Sequence, residues 1–179
     1  MKQRTLSASW LSALWCVAFY FPATTGAAAN NFKLHGALVA EPCTLQEADL
    51  ELDFGTVVDK ELYTHQRTGG KSLQITLQDC DLSLGKSVRI SFGGQANLAL
   101  PGLLALDAGS AAQGVAIGFE TLQGQPLPLN DWSSDKILTS GHNLIALQAY
   151  IRAEPEAIAQ KTITLGTLSA ITTFTLRYE

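Results

Sequence analysis

Apolar and polar residues alternate one for one in run after run of this chain. Leu50, Leu52 and Phe54 are spaced by Glu51 and Asp53; Leu73, Ile75 and Leu77 by Gln74 and Thr76; Val88, Ile90 and Phe92 by Arg89 and Ser91. Val115, Ile117 and Phe119 repeat the spacing, and Leu144 to Ile151 form a further, strongly apolar run. Successive side chains of a strand point to opposite faces, so this period buries one face and wets the other. Turn-forming residues separate the runs at Gly69-Gly70, Gly93-Gly94, Gly109-Ser110, Gly124-Gln125-Pro126 and Ser140-Gly141. Short strands at this spacing build a sandwich rather than βαβ units, so the chain reads as all-β and single-domain. The stretch 97–113, with Leu103-Leu104-Ala105-Leu106 in an Ala-rich context, departs from the pattern and fits either a short helix or an edge strand. There is no internal repeat and no low-complexity linker.

The runs near the two termini differ from the rest. Toward the C-terminus, Leu168, Ala170, Phe174, Leu176 and Tyr178 share one face, with Thr172 as a polar interruption. Thr167, Ser169, Thr173, Thr175 and Arg177 face the other way, and the sequence stops at Glu179. A strand there is followed by no hairpin partner, so if the sandwich needs a further strand beside it, that strand comes from elsewhere. Toward the N-terminus, Phe32, Leu34, Gly36 and Leu38 share one face and Lys33, His35 and Ala37 the other. Such a segment suits strand addition, in which main-chain hydrogen bonds give affinity and alternate side chains fill pockets. Gly36 permits close backbone approach. By periodicity alone, these two runs are equally an ordinary first strand and an ordinary edge.

Lys2 and Arg4, the apolar stretch Trp10–Phe21 and the small residues Gly26-Ala27-Ala28-Ala29 form the three parts of a secretory signal peptide. Residues 1–29 are expected to be removed by cleavage within 27–29. The apolar core falls short of the ~20 residues of a membrane-spanning helix, and no later segment is long and apolar enough to span. Without Lys2 and Arg4, ten basic residues stand against sixteen acidic ones, a net charge of −6. An acidic domain with no basic stripe argues against nucleic acid as a partner. Cys43 and Cys80 are the cysteines left after export. An even count in an oxidising compartment reads as one disulfide, which would stabilise by about 4 kcal/mol on the chain-entropy model. Two buried thiols or half of a metal site are the alternatives.

No catalytic constellation emerges, and the chain reads as a non-enzyme without cofactor or metal. Gly69-Gly70-Lys71-Ser72 resembles the end of a phosphate-binding loop, but His65 stands where its first glycine belongs and no helix pattern follows. His35, His65 and His142 are dispersed, without metal-ligand spacing. Asp49, Glu51 and Asp53 occupy the polar face of an alternating run and read as solvated. Trp132, beside Asp131 and near Asp135, suits stacking on a sugar, although a lone loop aromatic more often packs. No nucleophile elbow is present.

Several segments, taken in order, resemble pilins of the chaperone–usher pathway, close to the minor or adaptor subunits of type 1-like fimbriae. These are Phe32-Lys33-Leu34-His35-Gly36; Val39-Ala40-Glu41-Pro42-Cys43-Thr44-Leu45; Leu77-Gln78-Asp79-Cys80; Val88–Gly94; Gly114–Phe119 leading to Pro126–Asn130; and the ending Thr173–Glu179, with Tyr178 penultimate and Gly166 fourteenth from the end. The resemblance implies an incomplete immunoglobulin-like β-sandwich lacking its final strand, with residues 30–40 as a donor-strand extension and 41–179 as the pilin domain. Phe32, Leu34, Gly36 and Leu38 would be the donor residues. Gly166, Leu168, Ala170, Phe174, Leu176, Tyr178 and Glu179 would form the groove that receives a chaperone strand or a neighbour's extension. The implied partners are a periplasmic chaperone, an outer-membrane usher and adjacent subunits of a cell-surface fimbria. The short extension points to a minor or adaptor subunit. A self-contained secreted sandwich that binds carbohydrate or protein is the alternative.

Overall fold

The computed structural model describes Leu38 and residues 40–179; the expected signal segment and the expected donor residues Phe32, Leu34 and Gly36 lie outside the described residues. In chain order the elements are β1 (Thr44–Leu45), α1 (Asp59–His65), β2 (Lys71–Cys80), β3 (Ser87–Gly93), β4 (Val115–Thr121), β5 (Pro126–Leu127), β6 (Lys136–Ile137), β7 (Gly141–Ala153), α2 (Pro155–Gln160) and β8 (Thr173–Tyr178). One antiparallel sheet has the order β1-β2-β7-β4-β5, the other β6-β3-β8. Their apolar faces meet in one core, as the alternating runs require: Ile75 and Leu77 from β2, Ile145, Leu147 and Ile151 from β7, Val115, Ile117 and Phe119 from β4, and Val88, Ile90 and Phe92 from β3 are all buried. Phe92 and Phe119 stack across the sandwich with ring centroids 4.1 Å apart. No helix among the described residues is long and apolar enough to cross a membrane.

The period-two pattern holds wherever a ladder runs, and breaks at an identifiable place. In β2 the inward residues are odd-numbered up to Leu77, yet Cys80 is also buried. A register shift between Leu77 and Cys80, with Asp79 at φ 52°, supplies the extra residue. Such a bulge turns the following side chain to the other face. Cys80 thereby meets Cys43 in a disulfide that ties the start of β1 to the end of β2. Asn143 is buried in β7 and fully paired, accepting from the Thr139 N–H and hydroxyl and donating to the Thr139 carbonyl.

Two expectations change. The alternating run Leu50-Leu52-Phe54 keeps its half-buried face but joins no ladder. The stretch 97–113 forms neither a helix nor a continuous strand; turns and single bridges, Ala96 to Leu104 and Leu104 to Ile117, carry it. Two short helices were not anticipated. They span seven and six residues, too few to print a helical period, and bury chiefly Leu62 and Ala157. Pro155 and Glu156 in the first turn of α2 and Asp59 and Glu61 in that of α1 were the marks they left.

Candidate functional site

β8 pairs with β3 on one side and has no strand partner on the other among the described residues. Which of its backbone groups are free follows from the ladder. Ser87 and Glu179 exchange both main-chain bonds, at 2.9 and 3.0 Å. In an antiparallel pair the residues alternate in direction, so Arg177 and Thr175 also turn toward β3, and Tyr178, Leu176 and Phe174 turn their N–H and C=O groups to the open side. The parity continues upstream. Thr167 accepts from Ala111 and Ala112, and Ser169 accepts from Asp107, leaving Leu168 and Ala170 facing the opening. The expected long strand thus has ladder geometry only from Thr173, with loop 107–112 substituting for a partner before it.

The same even-numbered residues point inward, and none is fully buried. Leu168, Ala170, Phe174, Leu176 and Tyr178 are each half-buried against the core. Facing them is a second extended wall, 45–57, whose Leu45, Leu50, Leu52, Phe54 and Val57 are likewise half-buried. No backbone hydrogen bond joins 47–57 to 163–178 among the described residues. Between the walls lie two cavities. One of about 540 Å³ is bounded by 53–59 and Ile163–Leu168, with Leu62, Val115 and Ile151 at its floor. The other, about 510 Å³, is bounded by Leu45, Leu50 and Ile171–Phe174 over the Phe92 and Phe119 rings. Two rows of apolar side chains and an open main-chain edge together have the form of a sandwich with one strand missing.

Gly166 sits at one end of this groove, at φ 154°, where a Cβ would lie 2.6 Å from the Ala111 methyl and 3.1 Å from the Ala111 carbonyl carbon. Both facts call for glycine. At the other end, the Glu179 backbone oxygen accepts from the Lys86 and Ser87 N–H groups, and its side chain reaches Arg89 at 3.2 Å. Burial pushes the Tyr178 phenol above its ordinary pKa, and the Glu41 carboxylate adds to the shift. Leu38, the one expected donor residue that is described, is fully exposed.

The wall 45–57 was missed as a groove component, although its alternation was visible. A second missed feature lies outside the groove. Arg67 forms a bidentate pair with buried Glu120 at 2.9 and 2.6 Å and stacks 3.6 Å over the Tyr150 ring, which itself lies on Gly118. The Glu120 hydrogen bond raises the Arg67 pKa further. Trp132 has its ring covered by the Arg177 guanidinium, 4.2 Å away, so the sugar-stacking reading loses that face. Asp49, Glu51 and Asp53 are exposed, His65 and His142 stand apart and exposed, and Gly70-Lys71 runs into a strand. No metal-capable cluster occurs among the described residues.

The chain is similar to known proteins. The family described as Fimbrial protein matches residues 32–179. The fimbrial-like protein YfcP of Escherichia coli is 31% identical over 159 residues, 87% of each chain. A Proteus mirabilis protein named for a minor fimbrial subunit, PmfF, is 28% identical over 176 residues, 94% of this chain and 96% of that one. The fold is that of the P pilus rod subunit PapA, with TM-score 0.66 at 23% identity over 78% of this chain and 100% of the other. With the family match running from Phe32 to Glu179 and the open groove at β8, the chain belongs to the fimbrial protein family.

Proposed function

We propose that this chain is a structural subunit of a surface fimbria, exported through the periplasm and completed by a strand it does not itself contain. The observation that carries this reading is the open edge of residues 168–178, whose inner face is only half-buried above two cavities. An unpaired edge over an exposed apolar face is an aggregation hazard in isolation, and it is also the acceptor that strand addition requires. Leu168, Ala170, Phe174, Leu176 and Tyr178 form the receiving wall, Gly166 keeps its upper end open, and Phe32, Leu34, Gly36 and Leu38 form the strand offered to a neighbour. Burying Phe32, Leu34 and Leu38 contributes about 5–9 kcal/mol at ~1.5–3 kcal/mol per side chain, from which the ordering of the segment is subtracted.

Export through the periplasm calls for a chaperone that lays its own strand beside β8 and contacts Glu179. At an outer-membrane usher, the extension of the next subunit then replaces that strand. The chain acts by assembly and not by catalysis. Expression with and without a periplasmic pilus chaperone tests this. The expected result is a soluble one-to-one complex with chaperone, and aggregation or self-association without it. A stable, cooperatively folding monomer indifferent to chaperone would overturn the proposal. Gly36→Trp is expected to abolish donation to a neighbour while leaving chaperone binding intact. Loss of chaperone binding would instead place Gly36 in the core of its own domain.

A further inference from the structure

The second wall of the groove and α1 form one stretch, 47–65, with no polar tie to the rest of the domain. Among the described residues its hydrogen bonds stay within the stretch: Gly55 N–H to Asp53, Lys60 N–H to Asp59, the Thr64 hydroxyl to the Lys60 carbonyl, and the turns of α1. None of the ion pairs among the described residues involves it. Leu62 is its one buried side chain. The stretch is therefore held by apolar contact along its length and by polar bonds only at its two ends.

At the near end the Gln46 N–H donates to the Thr76 carbonyl at 3.0 Å, and Cys43 just before it is joined to Cys80. At the far end the chain leaves α1 through Gln66, at φ 64°. There the Ala153 N–H donates to the Gln66 carbonyl and the Thr68 N–H to the Ile151 carbonyl, both at 2.9 Å. The Ile151 N–H completes the tie on the Thr68 hydroxyl at 3.0 Å. Arg67 stands between these bonds and extends them from one strand to two. Its guanidinium passes over Tyr150 of β7 and grips Glu120 of β4, while its Nε donates to the Thr68 carbonyl at 3.2 Å. Gly118 permits the passage, since a Cβ there would lie 2.3 Å from the Tyr150 ring. The Glu120 side chain is only 5% exposed, so its carboxylate depends on this partner.

The larger sheet does not depend on the pair. β7 is laddered to β2 over Lys71–Cys80 and to β4 over Val115–Thr121 with or without it. Local opening takes the least tied stretch first, so the freedom released by cutting the pair goes to 47–65. That stretch builds one side of the first cavity, with 53–59 as its rim and Leu62 at its floor, whereas Arg67 lines neither cavity. We infer that Arg67 is a positioning residue of the groove: gripping Glu120 on the outer face, it fixes α1 and so the width at which the first cavity stands open toward Ile163–Leu168. What the cavity receives rests on the strand-addition reading; what holds its wall does not.

Native-state proteolysis tests this. The exported chain is isolated from the periplasm with any co-expressed pilus chaperone it carries and treated with chymotrypsin, whose aromatic sites within 47–65 are Phe54 and Tyr63. Cleavage there is compared with cleavage at Phe92 and Phe119 of the core strands, and binding of a fluorescent peptide of residues 30–40 is measured alongside. Arg67→Met is expected to speed cleavage at Phe54 and Tyr63 at least tenfold, leave Phe92 and Phe119 unchanged, and weaken the peptide at least fivefold. Glu120→Gln, which keeps the shape of the partner, should move all three readings the same way and serves where Arg67→Met is not recovered. Ile75→Val, which weakens the core of the same sheet, should speed all four sites together. That uniform pattern in the Arg67 and Glu120 variants would make the pair a support of the sheet and overturn the proposal. So would unchanged cleavage at Phe54 and Tyr63, or faster cleavage there with peptide affinity intact. Faster cleavage there in variants of a chain that takes no peptide even as wild type would overturn the strand-addition reading and leave Arg67 as the lock of the wall.

Discussion

At Gly166 a single hydrogen atom decides whether the upper end of the groove can form. The loop that would collide with a methyl there, 107–112, is the one whose N–H groups bond Thr167 and Ser169. Gly166→Ala is expected to cost about 2–4 kcal/mol, combining overpacking of ~1–3 kcal/mol with backbone strain of similar size. Gly69→Ala, with nothing within 4 Å of its Cβ position, should stay within ~0.5 kcal/mol. Urea midpoints of the two variants against wild type check the contrast. The position of Gly166 relative to Tyr178 was legible in the sequence; the reason for it was not, because Ala111 lies 55 residues earlier in the chain. Arg67 and Glu120 left no trace for the same reason. Their pairing, 53 residues apart, joins the segment between α1 and β2 to β4 of the larger sheet. Glu120→Gln should cost about 1–3 kcal/mol, less than breaking a fully buried pair because Arg67 is about a third exposed. Chemical denaturation measures this directly. The bulge before Cys80 was equally silent, since one inserted residue changes a facing direction without changing composition.

Among the elements, β8 and the wall 45–57 explain how much periodicity can reveal. Alternation reports that one side of an extended segment meets apolar surroundings; it does not report whether a hydrogen-bonded neighbour is present. Leu50-Leu52-Phe54 and Leu73-Ile75-Leu77 therefore look alike as sequence, although only the second lies in a ladder. The end of the C-terminal run was read correctly as an open edge, and its start was read as strand where loop 107–112 holds it by main-chain bonds to Thr167 and Ser169. A substitution at the wall separates groove from core. Ala170→Trp places an indole between the two cavities, at a residue that is only half-buried against the core in the absence of an added strand. Thermal melts with and without a synthetic peptide of residues 30–40 should give a wild-type protein whose melting temperature rises by several degrees with peptide. In the variant that rise should disappear while the peptide-free value shifts by no more than about 2 °C. A large drop in the peptide-free value would mean that Ala170 belongs to the domain's own core.

For the whole molecule, the missing strand sets both stability and connectivity. Most of the side chains that the two sheets turn toward each other are buried, and the half-buried ones gather chiefly along 45–57 and 163–178. The domain is thus complete except along one line, and a strand laid there converts two half-buried rows into core. An intramolecular version is easy to build with the added strand laid antiparallel to β8. A strand antiparallel to β8 can follow it through a short turn, because antiparallel neighbours need only a hairpin connection. Appending four flexible residues and a second copy of residues 30–40 after Glu179 brings Phe32 of the copy back to Phe174 and Leu38 to Leu168. The fusion is expected to be monomeric without chaperone and to unfold in a single cooperative transition. Size-exclusion chromatography and calorimetry check both outcomes. Replacing the appended Gly36 by Trp in the fusion should restore self-association, since the filled groove, and not the extra length, is what removes the open edge.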